Sequence, residues 1–495
     1  MIALSLAQIA DIVGGELADI SAADAAATRI TGTVEFDSRA VGAGGLFLAL
    51  PGARSDGHDF AAAAVAAGAV GVLAARPVGV PAIVVKPRTD GETDTAASVL
   101  EHDTDGSGAA VLGALARLAA AVAAELVAGG LTIVGITGSS GKTSTKDLVA
   151  AVLAPLGEVV APPGSFNNEL GHPWTVLQAD EETDYLILEM SARHPGNIAD
   201  LAAIAPPSIA VVLNVGTAHL GEFGSREAIA RTKAELPQAV PASGVVILNY
   251  DDDAVAAMAE QTAARVVRVS RSPGADVWAG PVTLDELARP RFALHAADVE
   301  VDMRLSVHGD HQVPNALCAA AVALECGATG AQVATALAGA GPVSRHRMHV
   351  GMTSDGVTVI DDAYNANPDS MLAGLKSLAW MARQGTETRR SWAVLGEMAE
   401  LGGDAISEHD RLGRLAVRLD VSRLIVVGTG RSMSAMHHGA VMEGSWGGEA
   451  TMVADADAAL ALLRAELRPG DVVLVKASNA AGLGNLADAL VGEAQ

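Results

Sequence analysis

The sequence predicts an α/β protein in three domains: a small N-terminal α/β domain, a central parallel-sheet domain and a C-terminal α/β domain of the doubly wound, Rossmann-like type. Three observations lead there. A chain of 495 residues is too long for one hydrophobic core. Half of its residues are hydrophobic but only 3% are aromatic, a balance tilted toward Ala, Val and Gly that suits Val/Ile/Leu strands covered by small-residue helices. Short apolar runs ending in a polar residue or Gly recur along the chain, with helical stretches between them.

Residues 1–107 contain the strands "GLFLAL" and "AIVVK" beside the Ala-rich helix "FAAAAVAAGA". An acidic, turn-rich stretch at 86–108 reads as a linker or surface insertion closing this first domain. The apolar stretch at 109–127 contains Arg117 and Glu125, so it reads as an amphipathic helix and not a membrane span. In the central region, 108–341, strands alternate with helices. "LTIVGI" leads into Thr137 and Gly138, "YLILEM" carries Glu189, and "IAVVLN" and "GVVILN" end at Asn214 and Asn249. Ligands of open parallel sheets sit beyond the carboxyl ends of the strands, so these residues mark one rim. The third region, 342–495, repeats the pattern with "VTVIDD", "WAVLGE", "RLIVVG" and "DVVLVK". Two such rims in one chain imply a cleft between them.

A formal net charge of −25 argues against bulk binding of nucleic acid, which needs a basic face. The two cysteines, Cys318 and Cys326, are too far apart on one helix to bridge and read as core thiols in a reducing compartment. The N-terminus has no basic region ahead of an apolar one, and the expectation is a cytoplasmic monomer.

The stretch "IVGITGSSGKTST" has the strand, Gly/Ser-rich turn and helix of a phosphate-binding loop, which marks the central domain as a P-loop mononucleotide-binding one. Gly138 and Gly141 let backbone N–H groups of Ser139, Ser140 and Ser144 converge on phosphate, Lys142 adds charge, and Thr143 offers a hydroxyl to Mg²⁺. Ile136 stands where the strict pattern has its first Gly. Glu189, at a strand end, can reach the same ion, and His219 lies on the same rim. Lys233 reads as a surface charge unless it points inward, where a neutral amine could take up CO₂ as a carbamate and ligate a second Mg²⁺. Asn315 suits a base edge or a helix cap equally. Arg345 and Arg347 could clamp a transferring phosphoryl group or be solvated. The cluster "IDDAYNANPDS" offers Asp362, Tyr364, Asn365 and Asn367, and Lys476 ends the last strand.

In "TGSSGKTS", "NVGTAHL", "TKAEL", "LNYDD" and "HQVPNALCAA", in that order, the chain resembles the Mur ligases, the ATP-dependent amide-forming enzymes of peptidoglycan precursor synthesis. "DSRAVGAGGLFLALPGARSDGHDF" is similar to the uridine-nucleotide domain of the members that add the third residue and the terminal dipeptide. "SFNNELGHPWTVL", "DDAYNANPDSM" and "VLGEMAELG" are similar to the dipeptide adder, and the Asp-Asn-Pro-Arg signature of the diaminopimelate adder is absent. The resemblance implies ATP and Mg²⁺ as cofactors, with UDP-N-acetylmuramoyl-tripeptide and D-alanyl-D-alanine as substrates. It puts Glu189, His219 and a carbamylated Lys233 with Thr143 on metal positions, and Asn315, Arg347 and Asp362 on positions that contact ATP. Lys142, Lys233, His219 and Arg347 become the catalytic set. Asp37, Ser38, Arg39, Asp56, Gly57 and His58 fall on the uridine-nucleotide positions, and Asn167, Asn168, Tyr364, Asn365 and Asn367 at the peptide ends. Gln312, His349 and "KASN" depart from the family pattern.

The chemistry implied is attack of the tripeptide's terminal carboxylate on the γ-phosphate, then of the dipeptide amine on the acyl phosphate. Two alternatives stay open from sequence: a related ligase, either the third-residue adder or a folylpolyglutamate-synthase-like enzyme, and a P-loop ATPase or nucleotide switch without acyl transfer.

Overall fold

The computed structural model describes residues 1–52, 55–87, 100, 103–216, 220–384, 388–444 and 448–492. Three α/β units follow one another, each on its own sheet. The first sheet has five strands in the order Glu16–Ala18, Ala82–Val84, Gly71–Ala74, Leu46–Leu48 and Val34–Glu35, parallel except for the edge strand Glu16–Ala18. Most of the expected 86–108 linker lies outside the described residues.

The parallel part of the central sheet runs Val159–Val160, Tyr185–Glu189, Thr132–Thr137, Ile209–Val212, Val245–Asn249, Arg265–Ser270, Val277–Ala279. Parallel strands buried on both faces need continuous apolar runs, and the four central strands, Tyr185–Glu189, Thr132–Thr137, Ile209–Val212 and Val245–Asn249, supply them. Beyond Val277–Ala279 the expectation of alternating strands and helices fails. Pro290–Ala296 and Val299–Arg304 form an antiparallel extension, with Thr283–Leu284 at its edge. The reason is local: Pro290, Phe292, Leu294 and Ala296 alternate inward with partly or fully exposed residues, a two-residue period that covers one face only.

The third sheet has the order His349–Met352, Thr358–Asp361, Val472–Lys476, Ser391–Leu395, Arg423–Val427, Ala450–Val453, parallel apart from the first strand. Apolar clusters cover both of its faces, as a doubly wound sheet requires.

Helix Ser107–Ala128 is, among the described residues, the one helix long and apolar enough to cross a membrane. Its stripe of Val111, Leu115, Leu118, Val122 and Leu126 is covered by protein, in one core with Leu6, Ile9 and Ile83 of the first unit and Leu186, Leu188 and Leu201 of the second. Asp105 and Asp103 accept from the N–H groups of Ser107 (3.0 Å) and Ala109 (2.8 Å) and so satisfy its first turn. A second bridge joins the two units: Trp174 Nε1 donates to the Val34 carbonyl (2.8 Å), and its ring meets Phe36 edge-on and Phe166 at 4.5 Å.

Candidate active site

Strand Thr132–Thr137 ends in the loop 138–141, and helix Lys142–Leu153 starts behind Gly141. Gly141 has φ of +84°, and a Cβ there would lie 2.8 Å from Asn315 Oδ1. Glycine is therefore required both by the backbone and by the approach of that amide. Asn214, two residues past the strand Ile209–Val212, shapes the loop from the side. Ser140 N–H donates to Asn214 Oδ1 (3.0 Å), Asn214 Nδ2 donates to the Ser140 carbonyl (3.1 Å), and Ser139 N–H donates to the Asn214 carbonyl (3.1 Å). The sequence places Asn214 on this rim, at a strand end, but does not single it out as a residue that shapes the loop. Replacing it with Ala removes its side-chain bonds to Ser140 of the loop. The expected result is nucleotide binding weakened about 10-fold with the fold retained, measured by calorimetric titration with ADP.

Thr143 is the meeting point. Its hydroxyl donates to Glu189 Oε2 (3.3 Å) and accepts from Arg347 Nη2 (3.2 Å). Ser165 Oγ (3.0 Å) and Asn167 Nδ2 (3.3 Å) also donate to Glu189 Oε2, while Glu189 Oε1 and Arg347 Nε are buried without a hydrogen-bond partner among the described residues. A buried carboxylate oxygen without a donor beside a threonine hydroxyl fits a hard cation such as Mg²⁺, and the orphaned guanidinium N–H suits an anionic oxygen. Lys142 Nζ donates to the Gly138 carbonyl (2.7 Å). Burial lowers its pKa, while the Glu189 charge acts to raise it.

Lys233 lies on helix Arg226–Ala239, capped by the Ser225 hydroxyl, on the inward face with Ile229 and Leu236. It is buried as the inward alternative required, and burial drives its ammonium pKa well below the ordinary lysine value, with the Lys142 charge the second cause. His219 lies outside the described residues.

The third unit supplies the opposite wall. Ser344 ties the junction to the central unit: its N–H donates to Asp147 Oδ2 (3.1 Å), and its hydroxyl accepts from Gly164 N–H (3.0 Å). His346 and Met348 have left-handed φ of +57° and +52°, and between them Arg347 turns to Thr143 with its guanidinium 4.2 Å over the Tyr364 ring. Asp361 and Asp362 hold this turn, since Asp361 Oδ2 bonds His346 Nδ1 (2.7 Å) and Asp362 Oδ1 accepts from Met348 N–H (3.2 Å). Lys476 is buried and donates to Asp362 Oδ2 (2.5 Å) and the Asn365 carbonyl (2.9 Å). Arg345 turns away to Asp488.

These walls enclose a cleft of about 660 Å³ lined by the loop from Ser139 to Ser144 and by Asn167, Asn168, Asn315, Arg347, Asp362, Tyr364, Asn365 and Asn367. Asn315 proves to be no cap: it sits in the first turn of its helix with Nδ2 donating to Gln312 Oε1 (2.9 Å). Asn367 does cap helix Pro368–Ala382, and Asn168 Oδ1 accepts from Gly171 N–H (2.9 Å), so both asparagines also shape backbone at the rim.

The first-unit candidates stand apart from this cleft. Asp37 and Arg39 form an exposed ion pair (2.8 Å) just past Phe36. His58 is buried with both ring nitrogens engaged, Nδ1 with Asp56 (2.6 Å) and Nε2 with the Ala75 N–H (3.0 Å). Its imidazole therefore shapes the loop and has no nitrogen left for a ligand. Asp56 also accepts from Arg76 (2.9 Å), and Gly57 packs against the Leu50 backbone where a Cβ would clash at 2.6 Å.

The chain matches three family models: the Mur ligase middle domain over residues 136–323, the Mur ligase glutamate ligase domain over 346–479, and the Mur ligase family catalytic domain over 31–119. It is 78% identical, over 100% of its own length and 98% of the relative's, to the UDP-N-acetylmuramoyl-tripeptide–D-alanyl-D-alanine ligase of Mycobacterium tuberculosis. It is 33% identical, over 86% of each chain, to the enzyme of that name from Escherichia coli. Among solved structures it is similar to MurF from Acinetobacter baumannii (TM-score 0.81, 29% identity, 99% of each chain covered). It is also similar to MurF from Thermotoga maritima in complex with ADP (TM-score 0.74, 27% identity, covering 94% of this chain and 98% of that one).

Proposed function

This chain belongs to the Mur ligase family, and from that premise we propose that it joins D-alanyl-D-alanine to UDP-N-acetylmuramoyl-tripeptide, with ATP cleaved to ADP and phosphate. One observation carries the reading at the level of chemistry. Lys142, Thr143 and Arg347, drawn from two sheets, converge on one cleft that the peptide-end candidates Asn167, Asn168 and Asn365 also line. A P-loop switch needs no second wall of that kind.

The nucleotide lies on the loop Thr137 to Ser144, its phosphates met by backbone N–H groups and the Lys142 ammonium. Thr143, Glu189, His219 and a carbamylated Lys233 are the residues that would hold Mg²⁺, which supplies charge neutralisation at the phosphates. Lys142 and Arg347 face the charge that builds as the tripeptide carboxylate attacks the γ-phosphate. The buried, charge-depleted amine of Lys233 is the form that reacts with CO₂. Asp37, Ser38 and Arg39, with the loop 56–58, form the uridine-nucleotide end. The aromatic bridge Phe36, Trp174, Phe166 connects that end to the Asn167 loop, so the substrate runs from the first unit to the central rim. In domain terms, 1–107 holds the uridine nucleotide, 108–341 holds ATP, and 342–495 closes on it and receives the dipeptide. We place the reaction in the cytoplasm.

The test is phosphate release by the purified chain with ATP and Mg²⁺. Release is expected only when both UDP-N-acetylmuramoyl-tripeptide and D-alanyl-D-alanine are present, with the amide product seen by mass spectrometry. Release with ATP alone at the same rate would favour the ATPase reading, and product with a free amino acid in place of the dipeptide would favour another ligase.

A further inference from the structure

Helix Lys142–Leu153 makes a second contact with the junction segment one turn past Thr143. Residues four apart on a helix share a face, so Thr143 and Asp147 look the same way. Each holds one residue of the segment: the Thr143 hydroxyl accepts from Arg347 Nη2 (3.2 Å), and Asp147 Oδ2 accepts from Ser344 N–H (3.1 Å). The other Asp147 oxygen, Oδ1, pairs with Lys146 Nζ (3.0 Å), and these two side chains are only 9% and 4% exposed. Lys146 also donates to the Pro162 carbonyl, and Gly164 N–H donates to the Ser344 hydroxyl (3.0 Å). The helix, the junction and the loop that brings Ser165 and Asn167 to Glu189 are thus tied together at one point.

The junction is gripped at both ends. Asp361 and Asp362 fix His346 and Met348 to the third unit, while Asp147 fixes Ser344 to the central one. Arg347 lies between the two grips. Its guanidinium stands at the end of a long side chain, so the spot it reaches depends on where its backbone is held. A misplacement of about 1 Å at a group that faces the reacting atoms can cost about 100-fold in rate. Asp147 is not among the described residues that line the cleft, so any effect it has on the reaction passes through another residue.

Resting on the ligase reading, with Arg347 as the group that faces the γ-phosphate, we propose that Asp147 is a positioning residue for phosphoryl transfer. By holding the Ser344 N–H it sets the start of the junction, and with it the reach of Arg347 toward Thr143 and the phosphate loop. A carboxylate suits this task because its bond to a backbone N–H is charge-assisted and stronger than a neutral one. Lys146 fixes the carboxylate from its other oxygen, so the acceptor itself is held in place.

The experiment uses the full-length chain and four replacements: Asp147→Ala, Asp147→Glu, Arg347→Ala, and Asp147→Ala together with Arg347→Ala. It reads kcat for phosphate release with both substrates present, the Kd for ADP, and the urea midpoint. Expected for Asp147→Ala is a kcat lowered by about 30-fold or more with ADP affinity within about 3-fold of the parent, since ADP lacks the phosphate that Arg347 faces. Asp147→Glu, which keeps a carboxylate, should recover part of the loss. In the Arg347→Ala chain, adding Asp147→Ala should change kcat by no more than about 3-fold, because the residue it positions is gone. A carboxylate with only a structural role would lower the urea midpoint and show no such coupling. Should Asp147→Ala alone fail to fold, Lys146→Met with Asp147→Ala removes both buried charges and is read in the same way. A kcat within about 3-fold of the parent in Asp147→Ala overturns the proposal, as does an equal fold-loss with and without Arg347. If Arg347→Ala leaves kcat unchanged, or the parent releases no phosphate with both substrates, the reading beneath it falls instead, and the assignment of Asp147 with it.

Discussion

Replacing Lys142 with Ala is expected to lower ADP formation at least about a thousand-fold while leaving the chain folded. Among the described residues the side chain makes one hydrogen bond, to the Gly138 carbonyl at 2.7 Å, so its loss to the fold is small. Its loss to the reaction is large, because charge moving onto the γ-phosphate develops beside a half-buried cation held within the loop by the Gly138 carbonyl. The buried hydroxyl of Thr143, reached by Glu189 and Arg347 at 3.3 and 3.2 Å, cannot replace a full positive charge. Steady-state kinetics with a thermal melt of the same preparation separate the two losses. Ligation at the parent rate with an unchanged melt would remove the phosphate loop from the mechanism.

The second large effect is expected from Lys476→Met. Lys476 is 2% exposed and Asp362 8%, and they meet at 2.5 Å. Breaking a buried pair from one side leaves the other charge uncompensated, a cost of about 3–5 kcal/mol. Activity should fall with stability, since Lys476 also holds the Asn365 carbonyl, and Tyr364 next to it carries the Arg347 guanidinium. The double replacement Lys476→Met with Asp362→Leu should regain most of the stability and none of the activity. Urea unfolding of the parent and the two variants checks this. A Lys476→Met chain as stable as the parent would mean the pair holds nothing together.

Much of this was readable from the residues because parallel strands buried on both faces leave unbroken apolar runs, and the rim residues follow each run directly. Thr143 and Glu189 are therefore legible on one rim, whereas Arg347 is joined to them only by the family resemblance, and nothing local marks the inward turn of Lys233, which reads as a surface charge unless it points inward. What escaped was of two kinds. Long-range partners carry no local signature: nothing near Asp362 announces Lys476, and nothing near Glu189 announces Ser165. Left-handed backbone at His346, Met348 and Glu400 is equally invisible, because a residue other than glycine at such φ is set by its surroundings and not by its own preference. The antiparallel extension after Val277–Ala279 went unread for want of weighing its two-residue period against the helical one.

Helix Ser107–Ala128 has a mechanical consequence. Because it is wedged into a core that runs from Ile2 to Ala264, one face of each of the first two sheets shares an interior, whereas the third sheet keeps its own cores, which among the described residues Ala288 and Leu284 of the central unit join from outside. The molecule is therefore built as a heavy anvil and a lighter hammer. The hammer meets the anvil through contacts and not through a common interior, and the segment from Ser344 to Met348 is its handle.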